Sequence, residues 1–334
     1  MRISVVITAY SREKFLPQAI QSVINQKIDR SMYEIIVVTN FKVDVRNFPN
    51  DINITVIMMN GIIGEQLYAG VSAAKYEIVA FLDDDDTFEQ EKLQRLVEVF
   101  SGNSELCYYH NDLKYVNSIM HPIDYMRMVE KKSQLLNEKS LIVDAKSNLN
   151  LIKMALEKRG DFNLSSIAIR RECSKEYMSL LKQIKGLTDG FFFWASLITM
   201  GQLMIDNIKL TNYRVHQSNI SAQIDFTTKA GVLKEQIYTY DLILNFMKET
   251  NYQSKNIQSL RRWIFLCIYE YELMCLVFAD SSRVSIIKQI KKLLIIGIRY
   301  SNTLKYRVLL FAIFGIIDVK LAQKLYLGIR SARD

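Results

Sequence analysis

The first hundred residues alternate between apolar segments of strand length and a segment with helical periodicity. Four β-branched runs, apolar at consecutive positions, predict buried strands at residues 3–10, 33–40, 53–59 and 76–83. Between the first two runs, apolar residues recur every three or four positions over residues 12–26, which predicts an amphipathic helix. Strands that are apolar on both faces and separated by helices are typical of a mostly parallel sheet covered on both sides.

Beyond residue 86 the pattern is less regular but still indicates both helices and strands. Thr87 and Gln90 have the spacing of a helix capping box, which predicts a helix that continues to Gly102. A second amphipathic helix is predicted over residues 188–201, and helical periodicity dominates from about residue 229 onward. Further strand-like runs complete the pattern at residues 105–116, 163–172, 203–208 and 210–216.

Four consecutive aspartates, residues 83–86, follow the fourth predicted strand directly. In an open parallel sheet, ligands bind at the edge formed by the C-terminal ends of the strands, so the run lies at the expected ligand edge. Adjacent carboxylates repel each other, and we expect a partner outside the chain to compensate their charge. Alternate residues of an extended segment point to the same side. Two pairs have the spacing to share a divalent cation such as Mg2+ or Mn2+: Asp83 with Asp85, or Asp84 with Asp86. The alternative is a solvated acidic loop.

The composition indicates a chain that buries a large core and resides in a reducing compartment. Of its 334 residues, 49% are hydrophobic and 23% are charged, and no repeat or low-complexity run interrupts them. The apolar run after Met1 is too short for a signal peptide, so we expect a cytoplasmic protein. Four cysteines lack the spacing of a zinc site or a disulfide framework and are interpreted as buried thiols: Cys107, Cys173, Cys267 and Cys275.

Positive charge is concentrated near the end of the chain. The net charge is +8, and residues 281–334 carry eleven Lys or Arg against two acidic residues. The longest apolar run there, residues 308–317, is far shorter than the roughly 20 residues of a transmembrane helix. For residues 281–330 two interpretations stay open: helices that pack on the catalytic domain with a solvated basic face, or a peripheral contact with an anionic membrane. Nucleic acid is not an expected partner, since no binding motif accompanies the charge.

The first hundred residues resemble a known family in the order and spacing of three segments. ISVVITAYSREKFLPQAIQSVINQ, YEIIVV and FLDDDD are similar to segments of the family 2 glycosyltransferases with a GT-A fold. The resemblance implies an α/β fold, a Rossmann-like, mixed and mostly parallel sheet flanked by helices, here with a helical C-terminal extension. It also implies an Asp-x-Asp motif, at Asp83 and Asp85, that binds a divalent metal bridging the diphosphate of a nucleotide sugar.

The same resemblance implies roles for individual residues. TDGFFFWASLITMG is similar to the family's segment in which an acidic residue opens a helix and acts as the catalytic base, which makes Asp189 the base; helix capping is the alternative. YRVHQSNIS resembles a segment with a histidine near the diphosphate or metal, and an ordinary surface or core histidine is the alternative. The implied metal ligands are Asp83, Asp85 and His216. The implied nucleotide-sugar contacts are Thr8, Ala9, Tyr10, Arg12, Asn40, Asp83 and Asp84, with a purely structural strand end as the alternative for Thr8, Ala9 and Tyr10.

Two sites depart from the family pattern. After EIIVV the family has an acidic pair or Asp-Asn that holds the nucleobase, whereas this chain has Thr39 and Asn40, which offer no carboxylate. Before the metal strand, the family's Arg-Asn pair is replaced by Leu67 and Tyr68. Both changes bear on which nucleotide is bound and on whether activity is complete.

These features together predict an inverting, metal-dependent glycosyltransferase that moves a sugar from a nucleotide diphosphate donor to a hydroxyl of a glycan or lipid-linked acceptor. The predicted catalytic domain covers residues 1–225, with a nucleotide-sugar half at 1–110 and an acceptor half at 111–225. The helical extension covers residues 226–334 and is compatible with a place on the cytoplasmic face of a membrane. Two alternatives stay open: a sugar-nucleotide or glycan-binding module without turnover, and a membrane-associated assembly factor.

Overall fold

The computed structural model describes residues 1–123, 140–147, 149–216, 226–250, 255–279, 281–300, 306–318, 320 and 322. These residues form two compact units, the first up to Val215 and the second from His216 onward. The predicted domain boundary between residues 225 and 226 adjoins a segment outside the described residues and stays a prediction, as does the division at residue 110.

The first unit is built on one mixed sheet. Its described strands are β1 (Ile3–Ala9), β2 (Tyr33–Thr39), β3 (Ile54–Met58), β4 (Ile78–Asp83), β5 (Thr87–Phe88), β6 (Leu106–Val116), β7 (Leu141–Val143), β8 (Ile167–Arg170) and β9 (Gln202–Arg214). They lie in the order β3-β2-β1-β4-β8-β6-β9-β5, and β7 also pairs with β9. Pairing is parallel from β3 to β4 and between β6 and β9, whereas β8, β5 and β7 pair antiparallel to their neighbours. The predicted fold class, a mixed and mostly parallel sheet flanked by helices, is confirmed.

Helices accompany this sheet and make up the second unit. They are α1 (Leu16–Ile24), α2 (Ile63–Ala73), α3 (Lys92–Gly102), α4 (Leu149–Glu157), α5 (Met178–Leu181), α6 (Thr188–Ile198), α7 (Phe226–Glu249), α8 (Lys255–Phe278), α9 (Arg283–Tyr300) and α10 (Tyr306–Ile317). The apolar stripe predicted for α1 is buried in the same core as β1, β2 and β4. α1 is shorter than predicted and begins beside Pro17, which suits the first turn because proline lacks a backbone N–H.

The strand order creates a crevice at the predicted ligand edge. β1 pairs with β2 on one side and with β4 on the other, so the chain reverses its direction of travel across the sheet at β1. At such a switch point the C-terminal ends of neighbouring strands leave room for a ligand. Thr8 pairs with Asp83, and Ala9 pairs with Thr39. The segments that follow these three strands therefore lie side by side.

Three local predictions are wrong because tertiary pairing overrides local propensity. Thr87 does not cap a helix but enters β5 by pairing with β9, and α3 begins only at Lys92. The two strands predicted after residue 201 are one continuous strand, β9. The strand predicted at residues 163–172 is reduced to β8, because Leu164–Ser166 forms a 3-10 turn.

The interpretation of all four cysteines as thiols is also wrong. Cys107, at the start of β6, forms a disulfide with Cys173, which lies in the turn after β8. Strands β6 and β8 are neighbours in the sheet, which brings together two residues that are 66 positions apart in sequence. Cys267 and Cys275 are buried thiols in α8. The cysteines thus no longer indicate a reducing compartment, and cytoplasmic localisation stays a prediction.

The second unit is helical, as predicted for the C-terminal extension. Helix α8 packs against α7, α9 and α10. Among the described residues, no helix is both long and apolar enough to cross a bilayer. Helices α8 to α10 and the residues after them share a small apolar core: Leu266, Leu273, Val277, Ile286, Leu293, Ala312 and Ala322.

Candidate functional site

The four aspartates form a turn after β4, here called the acidic turn (residues 83–86), in which Asp83 is half-buried and the other three are buried. Asp83 ends β4, and the chain re-enters the sheet in β5 after the turn. The exposed fractions are 0% for Asp84, 6% for Asp85 and 1% for Asp86. Because these carboxylates are withdrawn from water, the interpretation as a solvated loop is wrong.

Arg12, in the segment after β1, compensates part of this charge. Its Nη1 donates to Asp85 Oδ2 at 2.7 Å, and its Nε and Nη2 donate to the two carboxylate oxygens of Asp84. The expectation that the partner lies outside the chain is therefore wrong in part. The Arg12 side chain is 36% exposed, so it borders both the acidic turn and solvent. Its role as a nucleotide contact stays a prediction.

Arg214, the last residue of β9, is a second partner that sequence reasoning missed. Its backbone N–H donates to Asp86 Oδ1 at 2.9 Å, and its Nε donates to the backbone oxygen of Asp85 at 2.6 Å. The two remaining guanidinium nitrogens donate to Ser118 O and Gln18 Oε1. Arg214 is fully buried and lies 128 residues from Asp86 in sequence, so no local pattern marks it.

The two arginines leave excess negative charge in the acidic turn. Burial and the three neighbouring carboxylates raise the pKa of Asp83 well above its ordinary value. Burial raises the pKa of Asp84 to about 7 although Arg12 opposes the shift. Burial and the charge of Asp85 raise the pKa of Asp86 to about 8. Asp86 Oδ2 is buried and has no hydrogen-bond partner in the part of the chain that the structure describes. A further cation would lower these pKa values, because opposite charge favours the ionised form.

This donor set fits a divalent cation that is shared with a ligand. Within the described ranges, no group of three or more His, Cys, Asp or Glu side chains is placed to hold a metal ion. Mg2+ is usually held by one or two carboxylates together with substrate phosphates and water, so a partial protein shell suffices. Asp83 and Asp85 are oxygen donors of the kind that Mg2+ prefers, and their role as metal ligands stays a prediction.

The predicted nucleotide contacts at the end of β1 have contrasting environments. Thr8 is 5% exposed and donates to the acidic turn. Ala9 packs in the core, so only its backbone is available to a ligand. Tyr10 is 50% exposed. Asn40 Oδ1 accepts from Ser11 N at 2.8 Å, which fixes the turn next to Tyr10 and joins the ends of β1 and β2.

A loop at residues 159–166, here called the linking loop, connects the acidic turn with Asp189. Ser165 Oγ accepts from the backbone N–H of Asp83 at 3.0 Å, and the backbone N–H of Asn163 donates to Asp189 Oδ2 at 2.9 Å. The two contact points are two residues apart, a step that an extended chain spans in about 7 Å. The loop therefore brings the predicted metal ligands and the predicted base to the same region. Sequence reasoning assigned part of it to a strand and missed both Asn163 and Ser165.

Asp189 lies in the first turn of α6, where its carboxylate is firmly oriented. Its Oδ1 accepts from Gly190 N and its Oδ2 from Asn163 N. Burial raises the pKa of Asp189, and these backbone donors oppose the rise. Leu187, just before the helix, has a φ of 60°, in the left-handed region that disfavours such side chains. The geometry suits both the predicted base and the alternative role of a helix cap.

Two buried side chains that sequence reasoning also missed anchor the linking loop by hydrogen bonds to its backbone oxygens. Lys92 Nζ donates to Ser165 O at 2.5 Å and to Thr211 Oγ1 at 3.1 Å, and burial lowers the pKa of this lysine well below its ordinary value. His110 Nε2 donates to Phe162 O at 2.6 Å, because the carbonyl oxygen can only accept. Burial lowers the pKa of His110 to about 4, so the imidazole is neutral at pH 7.

The remaining positions that the sequence analysis singled out are His216 and two residues at which the chain departs from the family pattern, Leu67 and Tyr68. His216 belongs to the second unit and is half-buried there, so its role as a metal ligand stays a prediction. Leu67 is fully buried in the core and cannot take the place of a ligand-binding arginine. The ring of Tyr68 lies 4.2 Å from Lys182 Nζ.

The chain is similar in sequence to known glycosyltransferases. Residues 4–118 match the model of "Glycosyl transferase family 2". The "Uncharacterized glycosyltransferase alr2836" of Nostoc sp. (strain PCC 7120) is 35% identical over 120 residues, which are 33% of this chain and 36% of that protein. The poly(ribitol-phosphate) beta-N-acetylglucosaminyltransferase TarS of Staphylococcus aureus is 24% identical over 213 residues, which are 59% of this chain and 36% of TarS. The chain spans about a third of the length of these two curated relatives.

A solved structure supports the comparison at the level of the fold. The crystal structure of S. aureus TarS 1-349 in complex with UDP-GlcNAc has a TM-score of 0.54 and 14% identity to this chain. The similarity covers 86% of this chain and 89% of the crystallised TarS chain. The two chains therefore share a fold.

Replacement of His110 by Gln is expected to destabilise the chain more at pH 7 than at pH 4.5. The unfolded chain binds a proton at His110 below its ordinary pKa of 6.5, whereas the folded chain binds it only near pH 4. The free energy of unfolding of the wild type therefore falls by about 3 kcal/mol as the pH drops from 6.5 towards 4. The variant has no imidazole at this position and lacks this pH-dependent loss. The stability gap between wild type and His110→Gln should thus narrow as pH falls, as measured by urea unfolding.

The exposed His121 provides the control for this measurement. His121→Gln should leave the stability unchanged at both pH values. A gap between wild type and His110→Gln that stays constant or widens on acidification would contradict the neutral, buried state of His110.

Proposed function

We propose that the chain, whose residues 4–118 match the model of glycosyl transferase family 2, transfers a sugar from a nucleoside diphosphate donor to an acceptor hydroxyl. The observation that carries the proposal is the linking loop, in which Ser165 contacts the acidic turn and Asn163 contacts Asp189. The acidic turn, which is suited to binding the donor, and Asp189, the candidate base for the acceptor, thus both contact the three-residue segment 163–165. Such fixed positioning of both reactants is what a transfer between them requires.

We take the donor to be a UDP-sugar. TarS, which shares the fold, is named as an N-acetylglucosaminyltransferase and has been solved with UDP-GlcNAc and with UDP. In this chain the exposed ring of Tyr10 offers a stacking surface, and the Asn40 amide at the neighbouring strand end offers hydrogen-bonding groups. The Asn40 amide can both donate and accept hydrogen bonds, whereas a carboxylate only accepts. The geometry of these hydrogen bonds would therefore select the nucleobase.

The diphosphate is proposed to bind in front of the acidic turn with a divalent cation. Asp83 and Asp85 would hold Mg2+ or Mn2+, which supplies positive charge to the leaving diphosphate. The raised pKa values of Asp83 and Asp86 support this assignment, because they reflect burial together with repulsion between carboxylates, and a bound cation would oppose both effects. Arg12 borders the same space and would add a second, planar cation for phosphate oxygens.

Asp189 is proposed as the base of an inverting transfer. The acceptor oxygen bonds to the anomeric carbon as the bond from that carbon to the diphosphate breaks, and the acceptor proton passes to Asp189. Burial raises the pKa of Asp189 towards the operating pH, which favours proton acceptance. Each carboxylate oxygen has a second lone pair beyond its backbone hydrogen bond, so the orienting contacts do not block this role.

A binding module without turnover is the alternative, and the buried Leu67 favours it because an arginine is expected at that position in the family. Such a module would bind the same donor through the acidic turn and release no product. The two proposals therefore differ in turnover and not in ligand.

Two variants separate donor binding from transfer. With UDP-GlcNAc and Mn2+, the wild type is expected to show a thermal shift and to release UDP by hydrolysis, in which water takes the place of the acceptor hydroxyl and passes its proton to Asp189. Asp85→Asn should lose both, because it removes a proposed metal ligand. Asp189→Asn should keep the thermal shift but slow UDP release about 100-fold or more, because the amide cannot accept the proton.

Asp51→Asn is the matched control, since Asp51 is an exposed carboxylate that pairs with Arg30. It should retain both the shift and UDP release. A thermal shift without UDP release in the wild type would favour the binding module, and a shift that survives in Asp85→Asn would contradict the role of the acidic turn.

We also propose that α9 contacts an anionic membrane surface. Val284, Lys288, Lys291 and Ile295 follow one another at steps of three or four residues and share one helix face. Val284 is 75% and Ile295 is 65% exposed, and both lysines are exposed. An apolar and basic face of this kind suits the interface of a membrane that contains acidic lipids.

Charge reversal on α9 tests this contact. The variant Lys291→Glu/Lys292→Glu should bind vesicles of 70% phosphatidylcholine and 30% phosphatidylserine at least about 10-fold more weakly than the wild type, since each lysine contributes about 1 kcal/mol. The control Lys234→Glu/Lys248→Glu reverses two exposed lysines of α7. Equal losses in both variants, or no vesicle binding by the wild type in a sedimentation assay, would refute the contact.

A further inference from the structure

An aromatic cluster lies beside the linking loop in the first unit. The ring of Tyr213 lies 5.8 Å from that of Phe162 and 5.7 Å from that of Tyr115. The Arg159 guanidinium stacks 3.5 Å from the Phe162 ring centre and donates from Nη1 to Tyr115 Oη at 2.8 Å. Three rings and one planar cation therefore form a continuous surface, here called the aromatic platform.

The platform is rigid because its loop is anchored through the backbone. Tyr108 Oη donates to Gly160 O at 2.6 Å, and His110 Nε2 donates to Phe162 O at 2.6 Å. Arg159 and Asn163 both have a positive φ, 58° and 66°, which non-glycine residues rarely adopt. Backbone held in such conformations by its surroundings is concentrated at ligand sites.

The platform differs from the structural aromatic residues of the same unit. Phe191, Phe192 and Phe193 of α6 are completely buried. Phe162 and Tyr213, in contrast, are only partly buried, and so is Arg159. A cluster whose purpose is packing would be withdrawn from water, whereas these rings keep accessible surface next to polar side chains.

The platform also adjoins the candidate base. Phe162 directly precedes Asn163, whose backbone N–H donates to Asp189 Oδ2 at 2.9 Å. Arg159, whose guanidinium stacks on the Phe162 ring, belongs to the same loop. A ligand that stacks on the platform would therefore present its hydroxyl groups near Asp189.

We propose that the aromatic platform is the acceptor site and that it takes a neutral sugar ring, an inference that rests on the proposed function. The C–H face of a sugar ring is apolar and stacks on aromatic rings, which commonly line ligand sites. Arg159 can donate to ring hydroxyls, and Asp161 of the same loop can accept from them. Local charge is mixed, since the basic Lys158 and Arg159 and the acidic Asp161 are close in sequence and Asp112 acts on the charge of Lys158. This mixture favours a neutral ring over an anionic ligand.

The test uses methyl glycosides of glucose, galactose, mannose and N-acetylglucosamine as probes in saturation-transfer NMR. At least one glycoside should receive saturation at its ring C–H protons from the wild type. Phe162→Ala and Tyr213→Ala should each reduce this signal about 10-fold, because each removes a stacking face. Phe162→Leu keeps the apolar volume, so it guards against loss of folding, and it should reduce the signal as well. Tyr213→Phe keeps the ring and should retain the signal.

Tyr76→Ala is the matched control. Tyr76 is a half-buried ring with an arginine, Arg2, at 4.3 Å, and it lies just before the N-terminal end of β4, at the opposite edge of the sheet. It should leave glycoside binding unchanged. Binding that is insensitive to the Phe162 and Tyr213 variants, or no binding of any probe by the wild type, would overturn the proposal.

UDP release from UDP-GlcNAc by the wild type, measured separately, reports on the proposed function alone. Glycoside binding through Phe162 without UDP release would leave a sugar-binding site and remove the transferase. UDP release together with glycoside binding that ignores Phe162 would keep the transferase and remove this acceptor site.

Discussion

The structure depends on the burial of three adjacent aspartates, residues 84–86, against two arginines. Withdrawing a carboxylate from water costs several kcal/mol unless opposite charge and hydrogen bonds replace the solvent. Arg12 supplies these contacts for Asp84 and Asp85 from the exposed side, and Arg214 supplies them for Asp85 and Asp86 from the buried side. The replacement is incomplete, as the raised pKa values of Asp84 and Asp86 indicate. An acidic turn that is folded but still short of positive charge is prepared for a cationic or cation-bearing ligand.

The linking loop turns this local electrostatic arrangement into a site with two sides. The loop accepts hydrogen bonds from the side chains of Lys92 and His110 and from the backbone N–H of Asp83. It donates one hydrogen bond to Asp189. Because the loop is anchored mostly through its own backbone atoms, its side chains can be replaced without altering the path of its backbone. The side chains of the loop can thus vary while its backbone contacts to Lys92, His110 and Asp189 stay the same.

The sequence predicts the parts of this molecule that have a local signature. Strands β1 to β4 and helix α1 follow from apolar periodicity, and Asp83 to Asp86 are visible as an unusual charge cluster after a strand. Arg214, Ser165 and His110 are ordinary residues in sequence, and only the pairing of β6, β8 and β9 brings them to the site. Thr87 is the converse case. Its local pattern predicts a helix cap, but the residue pairs with β9 instead. Long-range pairing cannot be read from one sequence by spacing alone, and the disulfide between Cys107 and Cys173 was missed for that reason.

The distance along the chain between Asp86 and Arg214 has a consequence for biosynthesis. A ribosome that adds about 5 to 20 residues per second makes the second residue on the order of ten seconds after the first. During that interval the nascent acidic segment lacks the inner counter-charge that Arg214 supplies in the folded chain. Residues 4–118, which match the family model, end before that guanidinium.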